Sequence, residues 1–228
     1  RFSPRHNPII EYFENLPEWD GETDHIAQLA SYVKTTDQTF WAYQFKKALV
    51  RSAACALNQL PFNKHCLVLK GIQNDGKTSF WRFLCPPELK PYYTEQMDFG
   101  SKDGRIALAQ NFLVNLDELA NMARYEIKQV KSFLTYDKVK ERLPYGSTFK
   151  NFRRIANFFA TTNESEFLTD STGNVRWIVF EVQSIDHRNG KGYPKEVDIN
   201  QVWAQAYALL QQGFECQLTK EDIAISEK

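Results

Sequence analysis

Apolar residues recur three and four positions apart in the first quarter of the chain, a spacing that places them on one face of a helix. The pattern predicts helices at Ile9–Trp19, Asp24–Val33 and Thr39–Leu57, the first of them ended by Pro17. We interpret the cations within the third helix as its solvated face; they are Lys46, Lys47 and Arg51. These helices are expected to buttress the core that follows.

Farther along, apolar residues form short, nearly continuous runs, which are typical of strands buried on both faces of a parallel sheet. The runs are Leu67–Leu69, Phe112–Leu116, Ile155–Ala160 and Trp177–Val182. Because helical spacing returns between them and at Val202–Leu210, the pattern predicts an α/β fold with a mainly parallel central sheet flanked by helices. We divide the chain into an N-terminal helical segment (1–60), a core that contains these strands (61–185) and a C-terminal loop and helical segment (186–228).

The first strand of that core leads into a glycine-rich loop. Gly71, Gly76, Lys77 and Thr78 have the spacing of a phosphate loop, in which glycines let backbone N–H groups surround an anion. Lys77 would reach the β- and γ-phosphates of ATP, and Thr78 would bind Mg²⁺. The predicted binding residues are Gly71, Ile72, Gln73, Asn74, Asp75, Gly76, Lys77, Thr78 and Ser79.

An acid pair, Asp117 and Glu118, follows the second run. Parallel sheets bring the carboxyl ends of their strands along one crevice, so the pair is expected beside the phosphate loop. Asp117 would hold Mg²⁺ and Glu118 would polarise the attacking water. The alternative is an acid pair that only stabilises a helix N-terminus.

Two further residues complete the predicted catalytic set. Asn163 follows the third run, where an amide can bond both the γ-phosphate and the water, although it could simply cap a turn. Arg176 precedes the last run, after a polar loop, and a guanidinium from a neighbouring subunit can stabilise charge on the transferred phosphoryl group.

The segment 137–154 is rich in cations and contains a turn signal at Pro144–Thr148. A basic hairpin with aromatic neighbours suits a nucleic-acid backbone, and we assign Lys150, Arg153 and Arg154 to DNA binding. A solvated charged loop is the alternative.

The composition limits the possible binding surfaces and the compartment of the protein. The 228 residues include 28 Lys and Arg and 28 Asp and Glu, so any nucleic-acid surface must be local. Four separated cysteines favour buried free thiols in a reducing compartment, and we therefore expect a cytoplasmic protein. No apolar run has the length of a membrane span, and the chain, which begins at Arg1, is expected to be a fragment of a longer protein.

Taken in order, these motifs resemble the virulence-associated protein E family, ATPases of phages and mobile elements related to superfamily-three helicases. The resemblance lies in Gly71–Thr78, Asn115–Leu119, Leu143–Gly146, Phe159–Asn163 and Thr172–Arg176, and extends to Trp203–Ala206. It implies an AAA+-like core, a homo-oligomeric ring, and work on single-stranded or forked DNA during replication. It also implies that Lys150 tracks DNA and that Arg176 acts on the neighbouring subunit's nucleotide.

Three functions remain open at this point. The first is an ATP-driven DNA helicase or translocase module with Mg²⁺ as cofactor. The second is a nucleotide-dependent interaction protein that switches a partner contact without moving along DNA. The third, a small-molecule kinase, fits less well, because Glu118 and Asn163 suit water activation better than positioning of an acceptor hydroxyl.

Overall fold

The computed structural model describes residues 7–122, 124–142, 148–164 and 176–226. Within them a mixed six-stranded sheet has the order β1-β8-β2-β7-β4-β3, and a separate antiparallel hairpin is formed by β5 and β6. β1 is antiparallel to β8, and the other pairs of the large sheet are parallel. The strands are β1 Val33–Thr35, β2 Cys66–Lys70, β3 Tyr93–Thr94, β4 Leu113–Leu116, β5 Lys138–Glu141, β6 Lys150–Arg153, β7 Asn157–Thr162 and β8 Trp177–Ile185.

Helices cover both faces of this sheet, which confirms the predicted fold class. Several begin at a residue whose side-chain oxygen accepts a hydrogen bond from the first turn; these residues are Asn7, Asp24, Asp37, Ser101 and Asp198. The α-helices are α1 Pro8–Glu14, α2 His25–Ser31, α3 Gln38–Ala56, α4 Lys77–Phe83, α5 Lys102–Gln110, α6 Arg124–Thr135, α7 Tyr193–Glu196, α8 Ile199–Gln211 and α9 Lys220–Ser226. Short 3₁₀ turns occur at Pro87–Tyr92, Leu119–Asn121 and Arg188–Gly190.

Alternation along β2 divides the core into two clusters. Leu67 and Leu69 face the helices of the N- and C-terminal segments, whereas Cys66 and Val68 face α6 and the hairpin. Aromatic side chains fill the first cluster; Trp41, for example, lies 5.0 Å from Phe180 between ring centroids. Residues from all three predicted segments therefore share one core, and β1 of the first segment pairs with β8 of the second.

Two details of the N-terminal prediction are wrong. Val33 does not end a helix but begins β1, a strand too short to show a period in the sequence. Lys47 and Arg51 are buried, not solvated, because the C-terminal segment covers that face of α3. The ammonium group of Lys47 lies 2.7 Å from a carboxylate oxygen of Asp222 in α9, while Lys46 is partly exposed and pairs with Asp24.

Within the described residues, no helix is long and apolar enough to cross a membrane. All four cysteines are buried and free, as the sequence predicts.

Candidate nucleotide site

The predicted phosphate loop connects β2 to α4 at the carboxyl edge of the sheet. Gly76 has φ of +84°, a left-handed conformation that favours glycine. At Gly71, an added Cβ would lie 3.3 Å from Cβ of Val182, so the loop packs closely against β8. Both glycines are therefore explained by the conformation and packing of this loop.

Lys77 opens α4 and is almost fully buried under the loop. Its ammonium group donates to the carbonyl oxygens of Gly71, at 3.0 Å, and Ile72. Burial lowers the pKa of Lys77, and the charges of Asp75, Asp117 and Glu118 oppose that shift. The loop thus holds a cation that faces three carboxylates.

The acid pair follows β4 directly and lies beside the loop, as expected. One carboxylate oxygen of Asp117 accepts hydrogen bonds from two hydroxyl groups, that of Thr78 at 2.6 Å and that of Thr161 at 2.7 Å. Thr161 also accepts a hydrogen bond from the backbone N–H of Glu118 at 3.0 Å. Glu118 is left-handed, with φ of +48°, and its carboxylate accepts a bond from Asn121. Asp117 is consequently held by α4 and β7, and Glu118 by β7 and by the 3₁₀ turn that follows it.

These groups meet in a cavity of about 300 Å³, a volume within the range of small-molecule sites. It is lined by residues 73–79, by Asp117 and Glu118, and by Thr161, Thr162 and Asn163. Asn163 lies at the end of β7, where it was expected, and is exposed. The structure therefore brings Lys77, Thr78, Asp117, Glu118 and Asn163 together; Gly71 and Ile72 do not line the cavity, although Lys77 bonds both.

Sequence reasoning missed Thr161. Side chains two positions apart on a strand point to the same face, so a threonine two residues before Asn163 could have been placed beside the acid pair. Its hydroxyl gave no signal by itself, since threonine is common in strands.

Arg176 does not join this group. It immediately precedes β8, and its carbonyl accepts a hydrogen bond from the N–H of Cys66 at 2.8 Å. Cys66 begins β2, while Gly71 follows the other end of that strand. Five residues at about 3.3 Å each separate the two ends by roughly 16 Å. Arg176 thus lies at the opposite edge of the sheet from the phosphate loop of its own chain.

Two of the three residues assigned to DNA are placed inside the fold. Arg154 is fully buried and donates to backbone carbonyls, and Arg153 is half-buried and donates to the carbonyls of Cys55 and Leu60. Because these carbonyls need donors, the two arginines join the hairpin to the core. The prediction that both of them contact DNA is therefore wrong. Lys150 is exposed.

The hairpin formed by β5 and β6, here called the basic hairpin, presents other cations instead. Lys138 and Lys140 are exposed, while Val139 and Glu141 between them are buried. Arg142 continues the exposed side, and its guanidinium carbon lies 5.2 Å from the ring centroid of Phe149, whose side chain is 59% exposed. The predicted turn, with Leu143–Gly146, lies outside the described residues apart from Thr148, as does Thr172–Val175.

The sheet order and the cavity shared by the loop and the acid pair define an α/β protein with a candidate nucleotide site. The chain belongs to the virulence-associated protein E-like domain family, whose sequence model matches residues 13–228. No curated protein sequence gives a significant match.

Solved structures with a similar fold include the A form apo structure of the NrS-1 C-terminal region, with a TM-score of 0.63, 14% identity, and coverage of 99% of this chain and 54% of that one. An A form apo structure of that region, residues 305–718, has a TM-score of 0.54 and 14% identity, with coverage of 94% of this chain and 53% of that one. The X-ray structure of JCV helicase has a TM-score of 0.45 and 16% identity, with coverage of 96% of this chain and 66% of that one. The chain spans about half the length of the NrS-1 structures.

Proposed function

We propose that this chain is an ATP-hydrolysing module that acts on DNA as a helicase or translocase in replication of a phage or mobile element. The observation that carries the proposal is the convergence of Lys77, Thr78, the acid pair and Asn163 on one cavity. A cation, a hydroxyl, two carboxylates and an amide are the groups that phosphoryl transfer to water requires.

The donor set also fits Mg²⁺, which prefers oxygen ligands and retains several waters. Thr78 and Asp117 would hold the ion, and their oxygens lie 2.6 Å apart on the same side of the cavity. A bound Mg²⁺ would neutralise charge on the phosphate oxygens. Lys77, already within the loop, would exchange its carbonyl bonds for the β- and γ-phosphates.

Glu118 is the proposed general base. Its backbone N–H is held by Thr161, so the carboxylate extends from a fixed point into the cavity. Asn163, from the neighbouring strand, would orient the water and the γ-phosphate. Arg176 cannot belong to the same site across roughly 16 Å of sheet, and we propose that it serves the site of a second copy in a homo-oligomeric ring.

The basic hairpin is the proposed DNA surface. Lys138, Lys140 and Arg142 alternate with buried residues and so share one side, where Phe149 offers an aromatic face for stacking. Contacts of this kind follow the nucleic-acid backbone without reading sequence. Lys150 is a further proposed contact.

The first test replaces the base. Glu118→Gln keeps shape but loses the charge that polarises water, so we expect ATP affinity close to wild type and hydrolysis slower by about 10² or more. Glu88→Gln, an exposed acid of the 3₁₀ turn before β3, is the matched control. Normal hydrolysis by Glu118→Gln would place the base elsewhere.

A second measurement separates the helicase proposal from an interaction switch. Hydrolysis is titrated with single-stranded DNA, and the helicase or translocase proposal requires the rate to rise. If DNA has no effect while a protein partner stimulates hydrolysis, the chain is a switch. Lys77→Ala, which removes the loop cation, should abolish the stimulated rate in either case.

A further inference from the structure

Arg51 is a buried cation whose hydrogen bonds are incomplete. Its side chain in α3 is fully buried, and Nη1 donates to the carbonyl oxygen of Cys216 at 2.7 Å. Nε and Nη2 are also buried but have no partner among the described residues. The carboxylate that acts on its charge, Asp222, is bonded to Lys47. A buried charge is seldom left in this state, because its lost hydration must be replaced.

Arg154 provides the contrast within the same molecule. It is equally buried, yet its two terminal nitrogens donate to four backbone carbonyls, those of Asn63, Leu134, Tyr136 and Ala156. This fold can therefore satisfy both terminal nitrogens of a buried guanidinium with its own backbone, although Nε of Arg154 also has no partner among the described residues. It does not do so at Arg51.

The free edge of Arg51 has a specific shape. The N–H bond of Nε and one N–H bond of Nη2 point in the same direction within the guanidinium plane, on the side away from Nη1. That pair forms the fork with which arginine holds two oxygens of one carboxylate or phosphate. The unsatisfied atoms are thus the two that recognise an oxyanion.

Arg51 also lines a cavity of about 190 Å³, together with residues 60–65 and Gln217. At about 30 Å³ for each water in the liquid, its volume corresponds to about six waters, enough for a tetrahedral oxyanion. Nε2 of His65 is buried there without a partner among the described residues, and Lys64 is exposed at the mouth. The lining includes no Asp or Glu.

We propose that this cavity, the Arg51 cavity, binds a phosphate group held by Arg51, Lys64 and His65. Two permanent cations and an imidazole favour a dianion over a carboxylate, and no acid in the lining competes. The site is separate from the phosphate loop, because His65 precedes β2 and the loop follows it. It also does not depend on ATP hydrolysis by the chain.

The phosphate could be free or part of a DNA backbone. The cavity lies beside the foot of the basic hairpin, since Arg153 donates to the carbonyl of Leu60, which lines it. Lys138 is paired with Arg153 across the two strands. A strand of DNA on the hairpin would therefore have a cationic path toward the cavity.

The test uses His65 as a local reporter. Inorganic phosphate is titrated into the full chain while the His65 imidazole is followed by NMR, assigned by loss of its signals in His65→Gln. We expect a saturable shift, at least tenfold weaker binding in Lys64→Glu, and no change in Lys34→Glu, an exposed lysine of β1. Lys64 is chosen because Arg51→Met could fail to fold.

Lys77→Ala separates this site from the phosphate loop. The phosphate-dependent shift of His65 should persist in that variant. The same shift is expected even if the wild-type chain hydrolyses no ATP, so this test does not depend on the proposed function. The proposal is overturned if phosphate produces no saturable shift of His65, if Lys64→Glu leaves the affinity unchanged, or if Lys77→Ala abolishes the shift.

Competition then identifies the source of the phosphate. If a single-stranded oligonucleotide displaces inorganic phosphate from the cavity and binds more weakly to Lys64→Glu, the site holds a DNA backbone phosphate. If phosphate binds without competition from DNA, the site holds free phosphate. Both results support the phosphate chemistry.

Discussion

At the scale of single residues, Thr161 connects the two acids of the candidate nucleotide site. Its hydroxyl accepts from the N–H of Glu118 and donates to Asp117. Thr161→Val keeps the β-branched shape but removes both bonds. We predict that kcat of ATP hydrolysis falls about 10-fold to 100-fold, in line with the loss of about 1.5–3 kcal/mol for a hydrogen bond to a charged group.

The same variant should bind ATP nearly as well as wild type, since neither lost bond reaches the phosphate loop. Thr161→Ser restores the hydroxyl and should recover most of the rate. A purely structural role would instead lower the melting temperature of Thr161→Val and would not be rescued selectively in kcat.

His65 makes a second residue-level prediction, on stability. Burial first, and then the charges of Arg51 and Lys64, lower its pKa to about 3 in the folded chain. Because the unfolded chain retains an ordinary pKa near 6.5, it binds the proton more readily between these two values. The free energy of unfolding should therefore decrease as pH falls from about 6.5 toward 3, by up to about 1.4 kcal/mol per pH unit.

His65→Gln cannot take up that proton. The slope of its unfolding free energy against pH should therefore be smaller in this window by up to the contribution of one proton, about 1.4 kcal/mol per pH unit. Urea unfolding at several pH values, without added phosphate, measures the difference. Parallel pH profiles for the two proteins would contradict the assigned environment of His65.

The role of a residue could be predicted from the sequence where the backbone conformation restricts the residue type. A loop that must turn through a left-handed φ at Gly76 restricts the residue type, so the spacing from Gly71 to Thr78 was recognisable. A cation carries no such restriction. Whether Arg154 meets solvent or the carbonyl of Leu134 depends on which element lies against it, and that information is not local.

At the scale of elements, the basic hairpin was predicted only in part. Its existence followed from the turn signal and the cations, but its exposed side did not, because lysine and arginine are common on both faces of a charged segment. The buried positions Val139 and Glu141 set the side. Glu141 is held by Arg105 of α5, so the hairpin is attached to the core at that point as well as through Arg153.

The hairpin prediction concerns the salt dependence of DNA affinity. Replacing Lys138, Lys140 and Arg142 by Ala should reduce the slope of log affinity against log salt by about 2 on single-stranded DNA, since each lost phosphate contact contributes about 0.7. The matched control replaces three exposed lysines elsewhere, Lys34, Lys90 and Lys220. An equal change in slope for both triple variants would mean that the hairpin is not the DNA surface.

Short elements were beyond reach of the pattern. β1 has three residues, a length that cannot display a period. Longer elements were placed well: α3 runs from Gln38 to Ala56 against a predicted Thr39–Leu57, and β7 runs from Asn157 to Thr162 against a predicted Ile155–Ala160.

At the scale of the whole molecule, the chemistry is divided between two edges of one sheet. The phosphate loop, the acid pair and Asn163 follow the carboxyl ends of β2, β4 and β7, while Arg176 and the Arg51 cavity lie where β8 and β2 begin. The strand order that creates these edges requires pairing between distant segments, which a single sequence does not specify. The acids could nevertheless be placed because every parallel sheet gathers its carboxyl ends.

This division leads to a prediction about assembly. Arg176 lies roughly 16 Å of sheet from its own phosphate loop, so a contribution to hydrolysis must reach the site of another copy. Head-to-tail contacts of this kind form a ring when the rotation between copies closes, and a ring is the arrangement that we propose. We expect hydrolysis per chain to rise with protein concentration, and Arg176→Ala to bind ATP yet turn over more slowly by about 10³ or more.

Mixing two inactive variants tests the arrangement directly. Lys77→Ala chains cannot use ATP but still carry Arg176, and Arg176→Ala chains have an intact loop. In a mixed ring, some interfaces place the arginine of the first variant against the loop of the second, so the mixture should regain activity that neither variant has alone. Lys77→Ala mixed with Lys77→Ala/Arg176→Ala is the control and should stay inactive, because no loop is intact. If the first mixture also stays inactive and activity per chain is independent of concentration, Arg176 does not act between subunits, and the ring loses the residue that supports it.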